Sequence, residues 1–421
     1  MRAMRRLSAL LAAAAFAAGA CGGGPILANA PLDLPNPPVA TQPPARPADP
    51  IPIELPRDDG PHDRLTEWWY YTGHLRTVPD GRRYGFEAVI FRAERGGVPV
   101  AWASHLALTD EQGQQFTYAQ RSEIGPQVDR SPRGPDGNPT GFDLGISGLN
   151  PDLVAGDAPP FAAQPWHLTG ANGTDHIEAA LSPEEAAASG RAFGLSLDLK
   201  STKPAALHNG IGFIDFADAG SSYYYSRTRL AATGTLTVDG APVHVEGIAW
   251  FDHQWGDFVS VGGGGWNWFA INLDNGTDIT ISQVLDQNAL PILVYGTRVA
   301  ADGTVANIPE DQLFGISSNT FQLWTSPRTK RTWSQEWSIF VAQNADISQT
   351  GEQDTFDLKS TLASQELDTR ATTGVVYWEG SHRVTGVLGL QLDPTTGEQT
   401  GGTPISGDAY VEMTRYDAVS N

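Results

Sequence analysis

One short stretch indicates the fold: Glu67-Trp68-Trp69-Tyr70-Tyr71-Thr72-Gly73-His74-Leu75. In an extended strand successive side chains point to opposite faces, so Trp68 and Tyr70 share one face. The other face carries Trp69 and Tyr71, which makes both faces aromatic. We therefore predict a strand that is buried on both sides, or one that faces a ligand cavity on one side. Plain core packing of the same rings is the alternative.

The remainder of the chain after Pro61 repeats this style of sequence. Short runs of alternating apolar and polar residues, such as Tyr84–Arg92 and Gly247–Trp255, are separated by turn pairs such as Asp239-Gly240. This pattern is typical of β-hairpins. Helical periodicity is scarce, with one short candidate at Glu184–Ala188. We predict an all-β body built of antiparallel meanders.

The first 60 residues have a different character. Three arginines precede an apolar run, Leu7–Ala18, that is too short to span a bilayer with ease, as in an export signal. Cys21, the only cysteine, follows directly at the position of a bacterial lipoprotein acylation site. We predict a lipoprotein signal peptide over residues 1–20 and a Gly/Pro-rich linker over residues 21–60. Ordinary cleavage after Ala20, without acylation, is the alternative.

Composition excludes several classes of function. The formal net charge of -21 opposes binding to nucleic acid or to an anionic membrane surface. A single cysteine cannot form an intramolecular disulfide. The sequence contains no HExxH or CxxC motif and no Gly-x-Ser-x-Gly elbow, so we predict no metal site and no cofactor.

Six blocks, in order along the chain, resemble the carotenoid 1,2-hydratase and AttH-like family. They are His62–Leu75, Ser222–Leu230, Gly247–Gly256, Trp266–Gly276, Tyr377–Gly380 and Gly407–Glu412. The resemblance implies two tandem lipocalin-like antiparallel β-barrels, an N-terminal domain at 61–261 and a C-terminal domain at 262–421. The glycine run at 262–265 is consistent with a boundary there.

The resemblance also implies candidate site residues. Hydration of an alkene needs an acid, a base, and aromatic faces that stabilise the cation. Asp252 and His253 are the candidate catalytic residues; a structural polar pair at a strand end is the alternative. The candidate ligand-binding residues are Trp68, Tyr70, His105, Tyr223, Tyr225, Trp255 and Trp268.

Two positions depart from the pattern expected of hydratases. In the stretch Thr277–Leu285, after the Trp266-Asn267-Trp268 block, Asp278 is the only acidic residue and comes early. Gln254 stands where relatives often have Glu. The predicted export and anchoring, together with these departures, favour a first hypothesis: a binding protein that is lipid-anchored through Cys21 at the periplasmic or outer face of a bacterial membrane. It would bind an apolar lipid or isoprenoid-type ligand, with an ABC transporter as a candidate partner.

The second hypothesis is a hydro-lyase that resembles carotenoid 1,2-hydratase and adds water to an isoprenoid double bond. A cyclase of polyene chains would share the same fold. The sequence alone does not decide whether the protein is an enzyme.

Overall fold

The computed structural model describes residues 48–154, 159–259, 261, 263–313, 315–343, 351–393, 396 and 398–416. The predicted signal peptide, Cys21 and most of the predicted linker lie outside these residues. No helix in the described ranges is long and apolar enough to span a membrane.

Antiparallel strands form almost the whole of the described chain. The first twelve are β1 (Thr66–Thr77), β2 (Arg83–Ala93), β3 (Ala101–Asp110), β4 (Gln115–Ile124), β5 (Phe142–Gly148), β6 (Phe161–Ala171), β7 (Thr174–Ala180), β8 (Phe193–Ser201), β9 (Ala206–Leu207), β10 (Phe213–Asp215), β11 (Ser221–Val238) and β12 (Ala241–Asp257). The next twelve are β13 (Gly263–Leu273), β14 (Asp278–Asp286), β15 (Pro291–Val299), β16 (Val305–Ile308), β17 (Gly315–Ser318), β18 (Leu323–Thr325), β19 (Thr332–Ser334), β20 (Glu336–Ala342), β21 (Glu352–Ser360), β22 (Glu366–Asp368), β23 (Val376–Leu392) and β24 (Gln399–Arg415).

The described residues form few helices. The α-helix α1 (Pro183–Ser189) is accompanied by short 3-10 helices at Arg57–Asp59, Pro126–Val128, Pro151–Leu153, Ala217–Ala219 and Glu310–Gln312. A capping box between Ser182 and Glu185 starts α1, and Gly190 ends it with φ 79°. Glu185 also pairs with Arg121 of β4, and both side chains are fully buried. The helix is thereby tied to the first sheet.

The first sheet is nearly closed into a barrel. Its strand order is β4-β3-β2-β1-β12-β11-β8-β7-β6-β5, with β9 and β10 paired to β11. A bridge between Arg121 and Leu149 brings the two edges of this order together. Aliphatic and aromatic side chains fill its interior, among them Trp69, Tyr71 and Phe251.

The second sheet is also antiparallel and has fewer described residues in its core. Its strand order is β16-β15-β14-β13-β24-β23-β21-β20-β17, with β22 paired to β23 and β18-β19 forming a separate pair. Its core includes Phe269, Trp337 and Trp378. The predicted all-β, lipocalin-like class is confirmed.

The aromatic strand that opens the sequence has both faces buried. Trp69 and Tyr71 belong to the core of the first sheet. Tyr70 packs on the opposite side with Trp250 of β12 and Trp268 of β13. The two sheets therefore meet through a second, smaller aromatic cluster outside the core of the first sheet.

A buried ionic cluster, which we call the Asp278 clamp, joins the two sheets. Asp278 of β14 is fully buried and lies 2.6 Å from Lys203 Nζ and 2.6 Å from Arg229 Nη2. Thr228 and Asn272 also donate hydrogen bonds to its carboxylate, at 2.9 and 2.7 Å. Lys203, Thr228 and Arg229 come from the first part of the chain, so one carboxylate satisfies two cations across the junction.

We expect Asp278→Ala to lower the free energy of unfolding by about 3–5 kcal/mol, because it leaves buried Lys203 and half-buried Arg229 without their anion. Urea denaturation followed by tryptophan fluorescence measures the change. The matched control is Asp198→Ala, at an exposed carboxylate, which should cost about 0.5 kcal/mol or less. Equal losses in the two variants would mean that the clamp does not stabilise the junction.

Candidate functional site

A cavity of about 110 Å³ lies between the two sheets, and strands of both sheets line it. Side chains of β1, β2 and β12 form one wall, and side chains of β13, β23 and β24 form the other. Its aromatic surface includes Trp68, Tyr70, Phe91, Trp266, Trp268 and Tyr377. Such a surface is suited to an apolar molecule.

Four carboxyl groups point into this apolar space. Glu87, Asp252 and Glu379 are each at most 3% exposed, and Glu412 is half-buried. Among the described residues that line the cavity there is no lysine or arginine. Burial without a cationic partner raises the pKa of a carboxyl group. It raises the pKa of Asp252 to about 7 and that of Glu87 to about 8, and it holds the pKa of Glu379 well above its usual range.

Asp252 is surrounded by hydrogen-bond donors. Trp250 Nε1 donates to Oδ1 at 2.6 Å, and the hydroxyls of Tyr224 and Ser226 donate to the two carboxyl oxygens. Trp268 Nε1 in turn donates to the Tyr224 hydroxyl at 3.1 Å. Burial raises the pKa of Asp252, and these donors oppose that rise because they favour the ionised form. Of the carboxyl groups in the cavity, Asp252 is therefore the one best suited to be ionised and to accept a proton.

The other two buried carboxyls have tyrosine partners. The Tyr377 hydroxyl lies 2.8 Å from Glu87 Oε1 and 2.6 Å from His105 Nδ1. The Tyr70 hydroxyl donates to Glu379 Oε1. In both glutamates the second oxygen, Oε2, is buried and has no hydrogen-bond partner within the described residues. Two polar atoms are therefore available to a molecule in the cavity.

A model of the AttH-like family matches residues 46–416 of the sequence. The chain belongs to the AttH-like family. The crystal structure of an AttH protein from Nitrosomonas europaea is similar, with 25% identity, a TM-score of 0.64, and coverage of 87% of this chain and 98% of that one. Kievitone hydratase from Nectria haematococca shares the fold at 14% identity and a TM-score of 0.57, over 87% of this chain and 93% of its own. No curated protein matches the sequence significantly.

The structure of this AttH-like protein separates the candidate residues into two groups. The residues that line the cavity are Trp68, Tyr70, His105, Asp252 and Trp268. The residues that belong to the core of the first sheet, or lie next to it, are Tyr223, Tyr225, His253 and Trp255. Asp252 and His253 are neighbours on β12 and so point to opposite faces. The structure does not bring these two candidate catalytic residues together.

Sequence reasoning missed Glu87, Glu379, Glu412 and Tyr377. The last three lie in blocks that carried the family resemblance, and Glu87 lies in one of the alternating runs. The sequence feature that could have indicated them was an acidic residue among the aromatic residues of a predicted strand. It was ambiguous because such a residue equally suits the solvent face of a strand.

A second polar cluster, the His62–Glu67–His253 cluster, lies at the core of the first sheet. Glu67 Oε1 is 2.7 Å from His62 Nδ1 and 3.0 Å from His253 Nε2, and His62 stacks on Trp255 with ring centroids 4.0 Å apart. Two histidines and a carboxylate form a ligand set that zinc can use. The wide sequence spacing hides this set from motif searches. The hydrogen bonds already account for the arrangement, since each histidine contacts the carboxylate directly.

The charges in this cluster make the stability of the AttH-like protein depend on pH. Burial opposes ionisation of Glu67, but the attraction of His62 and the hydrogen bonds of both histidines lower its pKa to about 2. A carboxyl with a lowered pKa stabilises the fold above its unfolded pKa, and this contribution is lost as the pH falls towards the folded value.

We therefore expect the free energy of unfolding to decrease by about 3 kcal/mol through Glu67 between pH 4.5 and pH 2. Urea denaturation across this range should show a shallower pH dependence in Glu67→Gln than in the wild type. The exposed substitution Glu178→Gln serves as the control and should keep the wild-type dependence. An unchanged slope in Glu67→Gln would show that folding does not shift the pKa of Glu67.

Proposed function

We propose that this protein binds an apolar unsaturated molecule in the cavity between its sheets and adds water to one of its double bonds. The observation that carries the proposal is the set of three buried carboxyl groups in an aromatic cavity whose described lining residues include no lysine or arginine. Binding an apolar molecule requires no ionisable group, and burying a carboxyl without a cation is energetically costly. A catalytic role of the carboxyl groups explains why they are buried despite this energetic cost.

Glu379 is the proton donor in this proposal. Tyr70 donates its hydroxyl hydrogen to Glu379 Oε1, so a neutral Glu379 carries its own proton on Oε2. Oε2 has no partner within the described residues, and burial raises the pKa of Glu379 well above its usual range. Glu379 therefore remains protonated near neutral pH and presents a hydrogen to the cavity.

The aromatic walls stabilise the intermediate. Protonation of an alkene places positive charge on carbon, and ring faces such as those of Trp68, Trp266 and Trp268 attract positive charge. The carboxylate of Asp252 adds a full negative charge on the same cavity. A cationic wall residue would oppose this charge, and the described lining contains neither lysine nor arginine.

Asp252 is the proton acceptor in this proposal. The π electrons of the double bond take the proton of Glu379 to form a C–H bond. The oxygen of water then forms a C–O bond to the cationic carbon and passes its proton to the Asp252 carboxylate. After product release, exchange with solvent returns Asp252 to its ionised form and Glu379 to its acid form.

The pH dependence of turnover follows from these two groups. The pKa of Asp252 is raised to about 7, so its basic form is populated above that pH, and kcat/KM should rise through about pH 7. It should fall again only at higher pH, where Glu379 ionises. Asp252→Asn should lower kcat/KM about 100-fold or more, whereas Asp198→Asn, at an exposed position, should leave it unchanged. A flat profile across pH 7 would exclude Asp252 as the base.

The reaction can be tested with the full-length protein and small unsaturated isoprenoids, beginning with limonene in oxygen-labelled water. We expect label in the hydroxyl group of α-terpineol, the tertiary alcohol that hydration of limonene produces. Glu379→Gln should lower this rate about 100- to 10,000-fold, because an amide cannot supply the proton. The exposed Glu178→Gln should retain the wild-type rate.

The second candidate function is to bind and carry a ligand without converting it. The predicted export signal and the predicted acylation of Cys21 favour it, and an ABC transporter remains its candidate partner. A carrier would bind isoprenoids equally well as wild type and as Glu379→Gln, and neither protein would incorporate label. Native mass spectrometry of protein purified from its own cell envelope would identify the carried molecule. A protein that neither binds nor hydrates any isoprenoid would contradict both functions.

A further inference from the structure

A chain of hydrogen bonds leads from the cavity into the junction between the sheets. Its members, in order from the cavity, are Glu87, Tyr377, His105, Thr372 and Gln120. Each hydroxyl in the chain has one hydrogen, so the direction of each bond constrains the next. The direction at the far end can be determined from an acceptor that carries no hydrogen.

The far end fixes the amide of Gln120. Its Nε2 donates to the backbone carbonyl of Asp368 at 2.8 Å, which turns Oε1 towards Thr372. Gln120 Oε1 and Thr372 Oγ1 are 2.7 Å apart. Because the amide oxygen has no hydrogen, Thr372 must donate its single hydrogen there.

The contact between Thr372 and His105, in the middle of this series of hydrogen bonds, determines the tautomer of His105. Thr372 has used its hydrogen, so at 3.2 Å His105 Nε2 is the donor and the Thr372 oxygen is the acceptor. Burial lowers the pKa of His105 to about 3, so the ring is neutral and Nδ1 has no hydrogen. Tyr377 must therefore donate its hydroxyl hydrogen to Nδ1, across 2.6 Å.

The near end fixes the protonation state of Glu87. The Tyr377 oxygen has only lone pairs left, yet it lies 2.8 Å from Glu87 Oε1. The hydrogen between them must come from Glu87, which is therefore a neutral carboxylic acid with its proton on Oε1. Burial acts in the same direction, since it raises the pKa of Glu87 to about 8. Oε2 of Glu87 is then a carbonyl oxygen that can only accept.

This acceptor is buried and has no hydrogen-bond partner within the described residues, although its side chain lines the cavity. A buried acceptor without a donor is costly, and a ligand that supplies the donor removes the cost. We propose that Glu87 Oε2 accepts a hydrogen bond from the hydroxyl oxygen that the reaction adds or removes, whether in water or in an apolar tertiary alcohol. Glu87 thereby positions the oxygen beside the alkene, and this role rests on the proposed hydration.

Two substitutions separate this role from an anionic or a purely structural one. In Glu87→Gln the amide nitrogen can donate to Tyr377 and the amide oxygen can accept from the hydroxyl, so the neutral acid is reproduced. Glu87→Leu has a similar size and removes the acceptor. Limonene and α-terpineol are the matched probes, because they differ by one molecule of water.

For α-terpineol we expect Glu87→Leu to weaken binding about tenfold or more, and Glu87→Gln to remain within about threefold of wild type. Limonene should bind all three proteins within about threefold. Hydration of limonene should show a lower kcat and an unchanged KM in Glu87→Leu, because the water loses its position while the alkene keeps its site. Equal weakening of both ligands in Glu87→Leu would overturn the proposal, since Glu87 would then only shape the cavity. A Glu87→Gln variant as impaired as Glu87→Leu would show that Glu87 acts as an anion.

A measurement without ligand keeps the inference testable if limonene is the wrong skeleton. The infrared difference between wild type and Glu87→Gln at pH 7 should contain the C=O stretch of a protonated carboxyl group, which should disappear as the pH rises above about 8. Absence of that band at pH 7 would overturn the neutral state of Glu87. Presence of the band together with no binding or hydration of any isoprenoid would reject the proposed function and leave the hydrogen-bond assignment standing.

Discussion

Alternation of side chains along β1 and β12 decides which of their residues face the cavity and which enter the core of the first sheet. The two strands pair in register, with Tyr70 opposite Asp252 and Trp69 opposite His253. Along each strand, one of two successive side chains enters the core of the first sheet, and the next faces the second sheet. A shift of one residue in this register would exchange the two sets and move Asp252 out of the cavity.

This constraint also determines which parts of the structure the sequence could predict. Alternation in Glu67–Leu75 predicts a strand with two buried aromatic faces, and turn pairs predict antiparallel connections, because both are local properties. Which face meets which partner depends on how the two sheets pack, and that information is spread over the whole chain. For this reason Asp252 and His253 could be proposed together from sequence, although they occupy different environments.

The missed residues show the same limit in chemical terms. Glu87 and Glu379 are single acidic residues within strands, and a single acidic residue in an alternating strand normally faces solvent. Only the docking of the two sheets against each other covers both positions and converts them into buried acids. Tyr377 acquires its role through a histidine and a glutamate of the other sheet, a relation between distant parts of the chain.

Two buried aspartates at the junction illustrate how surroundings assign a role. Asp278 has two cations within 2.6 Å and hydrogen bonds besides, so its charge is neutralised and its contribution is structural. The donors that Asp252 has among the described residues, Tyr224, Ser226 and Trp250, are all neutral. Burial therefore raises its pKa to about 7 and leaves a proton equilibrium near neutral pH. The clamp at Asp278 holds the sheets together, and this docking is what keeps Asp252 and the glutamates away from water. The resemblance to hydratases implied an acid on the strand after Trp266-Asn267-Trp268. Here Asp278, at the start of that strand, belongs to the clamp, and the acids of the cavity come from β2, β12, β23 and β24.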